Sequence, residues 1–258
     1  MQKDAGTLPA GMRDISARLT RARAQASALP GPPDGLPQSL EDAYRLQAHS
    51  IAAWDDAVAG WKVGGVPAAY LGRFDASRLA GPIFARSVRR AGDDGVTAMP
   101  VFDGGFAAIE PEYIYMLGAS RDEDRMFIGA EIASSPIPAI NDHGPVAVIS
   151  DFGNNHGLLV GPEISDWRTR DGAARVRTVL DGECVGEAEL DDFRRDALDA
   201  LAFLLDLNAR RGYANAPGTF VSTGAITGVH EAPIGTQGVL DFGALGTVAL
   251  ELTAASPR

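Results

Sequence analysis

The chain has 258 residues, 34 acidic against 23 basic, for a formal net charge of −11. A balance that acidic repels a phosphate backbone and excludes sequence-independent nucleic-acid binding. A hydrophobic fraction of 45% and a charged fraction of 22% are ordinary for a globular enzyme, while 30 glycines and 16 prolines argue for a turn-rich, strand-rich body over a helical bundle.

In chain order, residues from about Met12 to Ala28 set Arg, Ala and Leu at helical spacing, and the Pro/Gly-rich segment from Leu29 to Pro37 breaks that helix. This divides the chain into an N-terminal helix with a linker (1–37) and a single domain (38–258). Ser39 opens a second helix through Trp54, with Asp42 as a weak form of the capping box and Tyr44, Leu46, Ala48, Ile51 and Ala52 on its apolar side. Beyond Gly60 come short apolar runs punctuated by glycine and proline. The runs 61–65, 82–84, 107–117, 127–132, 145–150, 157–161, 176–180, 219–223, 237–242 and 246–252 read as strands. A last helix spans about Asp191 to Arg211, with Phe193, Ala197, Leu198, Leu201, Leu204, Leu205 and Asn208 recurring along one side and Gly212 at its end. Strands on both sides of one long helix, without regular alternation, indicate an α+β domain.

Several chemistries lack their residues. No two glycines are separated by a single residue, and none precedes a lysine, so the dinucleotide fingerprint and the Walker A loop are both missing. No G-x-S-x-G occurs, and His49, His143, His156 and His230 lack zincin spacing. The single cysteine, Cys184, forms no intrachain disulfide and reads as a passive strand residue. Residues 1–14 lack the apolar core of a secretory signal, and no run approaches the ~18 apolar residues of a membrane span, so a cytoplasmic protein without a membrane partner is the expectation. His156 sits in a polar loop that suits a pocket lining; His49 reads as an ordinary helical histidine.

Glu110 and Glu112 remain, in the apolar run from Phe106 to Leu117. In a strand, positions i and i+2 share a face, so the two carboxylates project together while Ile109, Tyr113 and Tyr115 pack the other side. A divalent cation such as Mg²⁺, Mn²⁺ or Ca²⁺ between them relieves both repulsion and desolvation. Taken alone, Glu-x-Glu also fits an edge strand with solvated glutamates.

Six segments in order, Gly60-Trp61-Lys62-Val63-Gly64, Gly81-Pro82-Ile83-Phe84, Glu110-Pro111-Glu112, Gly129-Ala130-Glu131-Ile132, residues 151–161 and Ser222 to Gly228, give a series that resembles the fumarylacetoacetate hydrolase superfamily. Within it, the series resembles specifically the 2-keto-4-pentenoate hydratase and 4-oxalocrotonate decarboxylase branch, from about residue 40 to 252. The resemblance implies a mixed β-sheet roll with a few packed helices and Mg²⁺ or Mn²⁺ held by Glu110, Glu112 and Glu131. It also implies Lys62 as the catalytic lysine near the substrate, with Asn154, Asn155, Thr223 and Gly224 facing that substrate. Self-association of the chain is implied too. A 2-oxo acid chelates such a cation through its carboxylate and keto oxygens, which polarises the carbonyl. Lys62, between apolar neighbours, either holds the substrate carboxylate or shuttles a proton if burial lowers its pKa.

Two departures qualify the resemblance. Hydratases of this type carry an acid–base aspartate just before the Gly-Pro-Ile-Phe stretch, where this chain has Leu79, with Asp75 further back. The histidine of the hydrolase branch has no counterpart in the expected place. The leading expectation is a hydro-lyase adding water to a small unsaturated 2-oxo acid. Alternatives are a 2-oxo dicarboxylate decarboxylase, an acylpyruvate hydrolase and a non-catalytic partner of a homologous enzyme.

Overall fold

The computed structural model describes residues 8–92 and 95–258. Its helices are α1 (Ala10–Ala24), α2 (Leu40–Ala53), α3 (Ala68–Leu71), α4 (Gly144–Ser150) and α5 (Arg194–Arg211). Its strands are β1 (Val58–Gly65), β2 (Arg78–Phe84), β3 (Val88–Arg90), β4 (Thr97–Val101), β5 (Phe106–Met116), β6 (Arg125–Ser135), β7 (Asn155–Glu163), β8 (Ala174–Leu180), β9 (Glu183–Leu190), β10 (Phe220–Ser222), β11 (His230–Glu231), β12 (Gln237–Asp241) and β13 (Thr247–Ala254). An eight-stranded sheet runs β2-β1-β10-β5-β6-β7-β3, with β11 on β5; a five-stranded sheet runs β4-β13-β12-β8-β9. The class is α+β, as the pattern predicts. Among the described residues no helix is long and apolar enough to cross a membrane.

The two central strands of the large sheet, β5 and β6, are antiparallel along their whole length, and their register places Glu110 opposite Glu131 and Glu112 opposite Gly129. β10 joins two parts of the sheet: it is parallel to β1, with Lys62 opposite Ser222, and antiparallel to β5. One face of this sheet supplies Trp61, Val63, Ile109, Tyr113 and Tyr115 to the main core. On the other, Ile83, Ile114, Phe127, Leu158, Val160 and Phe220 form a smaller cluster.

The helices differ from the expected ones in instructive ways. Ser39 caps α2 as predicted, its Oγ accepting from Asp42 N at 3.1 Å. Its buried side, however, is Ala43, Tyr44, Leu46, Gln47 and Ser50, and the expected Ala48 and Ala52 are exposed. Gln47 is accommodated because its amide nitrogen Nε2 donates to Ala80 O and Ile149 O, tying β2 to α4. The run 145–150, expected as a strand, is helix α4, buried all round. A short uniformly apolar run carries no period to separate the two states; Pro145 in the first turn was the available signal. α1 stops at Ala24, four residues earlier than predicted, and its Ile15 and Leu19 enter the main core. α5 begins at Arg194 and ends on Gly212 in the left-handed conformation (φ 77°), as the sequence requires. β9, an edge strand with mostly exposed side chains, lies outside the predicted runs, although Cys184 within it reads as a strand residue.

Candidate metal centre

The period-2 rule holds at the glutamates. Ile109, Tyr113 and Tyr115 are in the core, and Glu110 and Glu112 face away from it, joined by Glu131 through the β5–β6 register. The three carboxylates bring ligand oxygens within 4.8 Å of one another. Glu112 and Glu131 are 0% exposed, Lys62 4% and Glu110 5%, so three carboxyl groups share a buried space with one ammonium. Glu112 Oε1 and Glu131 Oε2 have no hydrogen-bond donor. Lys62 Nζ approaches the latter at 3.3 Å, in ion-pair range but without hydrogen-bond alignment. Hard oxygen donors, excess negative charge and two unpartnered oxygens fit a divalent cation such as Mg²⁺ or Mn²⁺.

The surrounding groups hold the ligands from outside. Glu112 Oε2 accepts from Ser222 Oγ at 2.5 Å and from Gly224 N at 2.9 Å. Gly224 has φ 110°, a conformation open to glycine alone. Asn155 Nδ2 donates to Glu131 Oε1 at 3.1 Å, and Asn154 Oδ1 accepts from Lys62 Nζ at 3.2 Å while its Nδ2 donates to Asn141. Thr223 turns its hydroxyl to Tyr113 O at 2.8 Å. Lys62, the three glutamates, both asparagines and Gly224 therefore come together as one network, with Thr223 bracing the strand behind it. Ser222 was not singled out from sequence; its position opposite Lys62 depends on the β1–β10 pairing, which no local pattern encodes.

Burial, reinforced by the charge of Glu131 and opposed by Lys62, pushes the Glu110 carboxyl up to about 8. Burial, with Glu131 and Glu110, holds Glu112 well above the carboxylate range despite its bonds from Ser222 and Gly224. For Lys62 the sequence left open a lowered pKa. Burial does pull it down, but Glu131, Glu110 and Glu112 together outweigh burial and hold the ammonium above its usual value.

The other histidines stay apart. His156 packs against Phe102 in a tilted arrangement at 4.2 Å between ring centroids, and burial with the charges of Arg23 and Arg258 lowers its imidazole to about 3. His49 is exposed, and His230 bonds Thr227. Among the described residues no histidine bonds to the carboxylates, so the His–Glu pair of a hydrolase is not assembled.

These shifts predict the stability of the metal-free protein. Above about pH 6.5 the unfolded chain has released its glutamate protons while folded Glu110, raised to about 8, and folded Glu112, held well above the carboxylate range, still hold theirs, so raising the pH favours unfolding at least until Glu110 ionises near 8. Between 4.5 and 6.5 His156, protonated only when unfolded, works in the opposite direction. Melts in EDTA should therefore lose about 1–2 kcal/mol from pH 6.5 to 8, with Mg²⁺ or Mn²⁺ reversing the loss. A flat profile with no effect of cation would contradict a clustered, metal-ready triad.

Neither models of protein families nor curated sequences give a match to this chain. Solved structures do. 4-Oxalocrotonate decarboxylase from Pseudomonas putida G7, with magnesium and adipate, superposes with a TM-score of 0.74 at 18% identity, over 93% of this chain and 97% of that one. The same enzyme with calcium and acetate gives 0.74 over 93% and 96%. Fumarylpyruvate hydrolase from Pseudomonas aeruginosa, with Mn²⁺ and pyruvate, gives 0.54 at 16% identity over 80% and 94%. The 2-hydroxyhepta-2,4-diene-1,7-dioate isomerase from Mycobacterium marinum gives 0.52 at 15% over 77% of each chain. These neighbours are fumarylacetoacetate hydrolase superfamily members, and the fold the resemblance implies is the fold the chain has.

Proposed function

We propose that the protein is a divalent-metal-dependent lyase acting on a small 2-oxo acid, and that it decarboxylates a 2-oxo dicarboxylate of the 4-oxalocrotonate type in preference to hydrating a dienoate. The observation that carries the choice is the apolar wall at Lys62. A Cβ built on Gly64 would stand 3.4 Å from Lys62 Nζ and 3.6 Å from Leu79 Cδ1, so the ammonium and a buried methyl both border the space over Gly64. Leu79 lies on β2 opposite Gly64. Adding water needs a base to take its proton and an acid to supply one to carbon. Glu110, Glu112 and Glu131 are committed to the cation in this reading, Leu79 has no proton to exchange, and Asp75 is exposed.

Decarboxylation asks less of the protein. The bond to the distal carboxylate breaks, its electron pair passes along the conjugated chain to the 2-oxo oxygen, CO₂ leaves, and no proton is removed from water. Glu110, Glu112 and Glu131 would hold Mg²⁺ or Mn²⁺, which supplies a Lewis acid for the 2-oxo group. Lys62, kept charged by those carboxylates, holds the substrate's 1-carboxylate and stabilises negative charge on the oxygen. Asn154 and Asn155 fix Lys62 and Glu131, Thr223 and Gly224 fix the strand end behind Glu112, and Leu79 keeps water away. The similarity in fold to a 4-oxalocrotonate decarboxylase over 93% of the chain supports this reading.

The test is a proton NMR time course with Mg²⁺ beside an EDTA control, offering 4-oxalocrotonate in one sample and 2-hydroxypenta-2,4-dienoate in another. Metal-dependent loss of CO₂ from the first, with the second unchanged, is the expected result. Hydration of the second would return the hydratase reading. Silence in both from a protein that binds Mg²⁺ would point to a non-catalytic partner.

A further inference from the structure

The turn that presents Asn154 and Asn155 has a backbone its sequence does not favour. Phe152, Gly153 and Asn154 lie consecutively in the left-handed region, at φ 55°, 68° and 55°. Glycine adopts it freely and asparagine tolerates it, whereas a bulky aromatic residue is rarely found there. The turn is also wedged against β2. A Cβ on Gly81 would meet Phe152 O at 2.2 Å, and one on Gly153 would meet Gly81 Cα at 2.8 Å and Lys62 Cδ at 3.3 Å. Such a conformation persists only where its surroundings over-determine it.

Arg23, at the end of α1 and 5% exposed, supplies that constraint. Its Nε donates to Asp151 Oδ1 at 2.6 Å and its Nη2 to Asp151 Oδ2 at 2.8 Å, the two-pronged fork that a guanidinium makes and an ammonium does not. Further bonds reach the backbone: Nη2 to Asp151 O at 3.0 Å and Ser134 O at 3.1 Å, and Nη1 to Asn155 O at 2.9 Å. Ser135 Oγ adds a bond to Asp151 Oδ2 at 2.6 Å, and the guanidinium lies over the rings of Phe102 and Phe152, at 5.4 and 5.3 Å. Arg23 thus grips both ends of the turn, together with the end of β6, the strand that carries Glu131.

We propose that Arg23 is a positioning residue for the metal centre: from a helix outside the site it fixes the turn that sets Asn154 on Lys62 and Asn155 on Glu131. The inference rests on reading the three glutamates as a cation site. A purely structural role would cost stability alone. A positioning role also weakens the cation, because groups that orient a ligand typically matter about 10–100-fold for metal affinity.

The experiment is Mn²⁺ titration calorimetry of the full chain, with amide exchange over 152–157 measured on the metal-free protein. Arg23→Gln should bind Mn²⁺ about 10–100-fold more weakly and exchange faster through the turn, and Arg23→Lys should fall between it and wild type. Leu19→Ala, a core truncation on the same helix, should lower the melting temperature and leave both readouts unchanged. Wild-type affinity and wild-type exchange in folded Arg23→Gln would overturn the proposal. If that variant does not fold, Arg23→Gln/Asp151→Asn removes the buried charge left alone and is read against the same two outcomes. A wild-type chain that takes up no Mn²⁺ would instead remove the cation-site reading, and the exchange data would still decide the role of Arg23.

Discussion

Glu112→Gln should reduce metal-dependent turnover by more than about 100-fold, beyond the roughly 10–100-fold typical of groups that only orient a ligand, and should make the metal-free protein more stable. Both effects have one cause. Glu112 is fully buried, carries one oxygen without a donor, and sits beside two further carboxylates. A glutamine keeps an acceptor for Ser222 and Gly224, turns its amide hydrogens toward Glu110 and Glu131, and removes a charge that only a cation compensates. In EDTA the variant should melt a few degrees above wild type, the shift that about 1 kcal/mol produces in a chain of this size. Mn²⁺ titration, turnover and melts on the same sample read all three quantities. Near-normal turnover with Mg²⁺, or a less stable metal-free variant, would contradict the assignment. Stability lost to a preorganised site is common where function requires strained or like-charged groups to be held together.

Leu79→Asp should exchange one activity for another. The new carboxylate would replace the methyl that borders the space over Gly64, which Lys62 Nζ also borders, and would supply a group that can take a proton from water. Decarboxylation should fall, and Mg²⁺-dependent hydration of 2-hydroxypenta-2,4-dienoate should appear, within the 10²–10⁴-fold range that a positioned acid–base group typically supplies. The same NMR time course measures both. A variant that binds Mg²⁺, decarboxylates at the wild-type rate and hydrates nothing would show that position 79 does not choose the reaction.

The legibility of the site followed the range of its contacts. Glu110 and Glu112 were readable because their shared face is a two-residue pattern inside one strand. Glu131 came only with the resemblance, since its place opposite Glu110 depends on the β5–β6 register. Lys62 came with the resemblance as a residue near the substrate, but its charge state was not legible, because that is set by three carboxylates from two other strands. Arg23 is the clearest loss: in an Arg-rich helix it looks like one more solvated cation, and its partner Asp151 is 128 positions away. Gln47 and Ser50 went the same way, polar residues on a face that apolar spacing alone could not define. The strands fared better than the short helix α4, because strands in this chain are bounded by glycine and proline and α4 offers only an unbroken apolar run.

The three-residue strand β10 has a consequence for how the chain reaches this state. Ser222 meets Glu112 across 110 positions, and the pairing that brings it there also joins the strand of Lys62 to the strand of the glutamates. Pairings of such long sequence separation close large loops and slow folding. On a ribosome, residues 1–190 could have left the tunnel with every glutamate of the triad synthesised and the sheet still split between β1 and β5. Cation uptake would then come after the C-terminal quarter arrives, and a fluorescent or paramagnetic divalent ion added during refolding should register the last step of assembly.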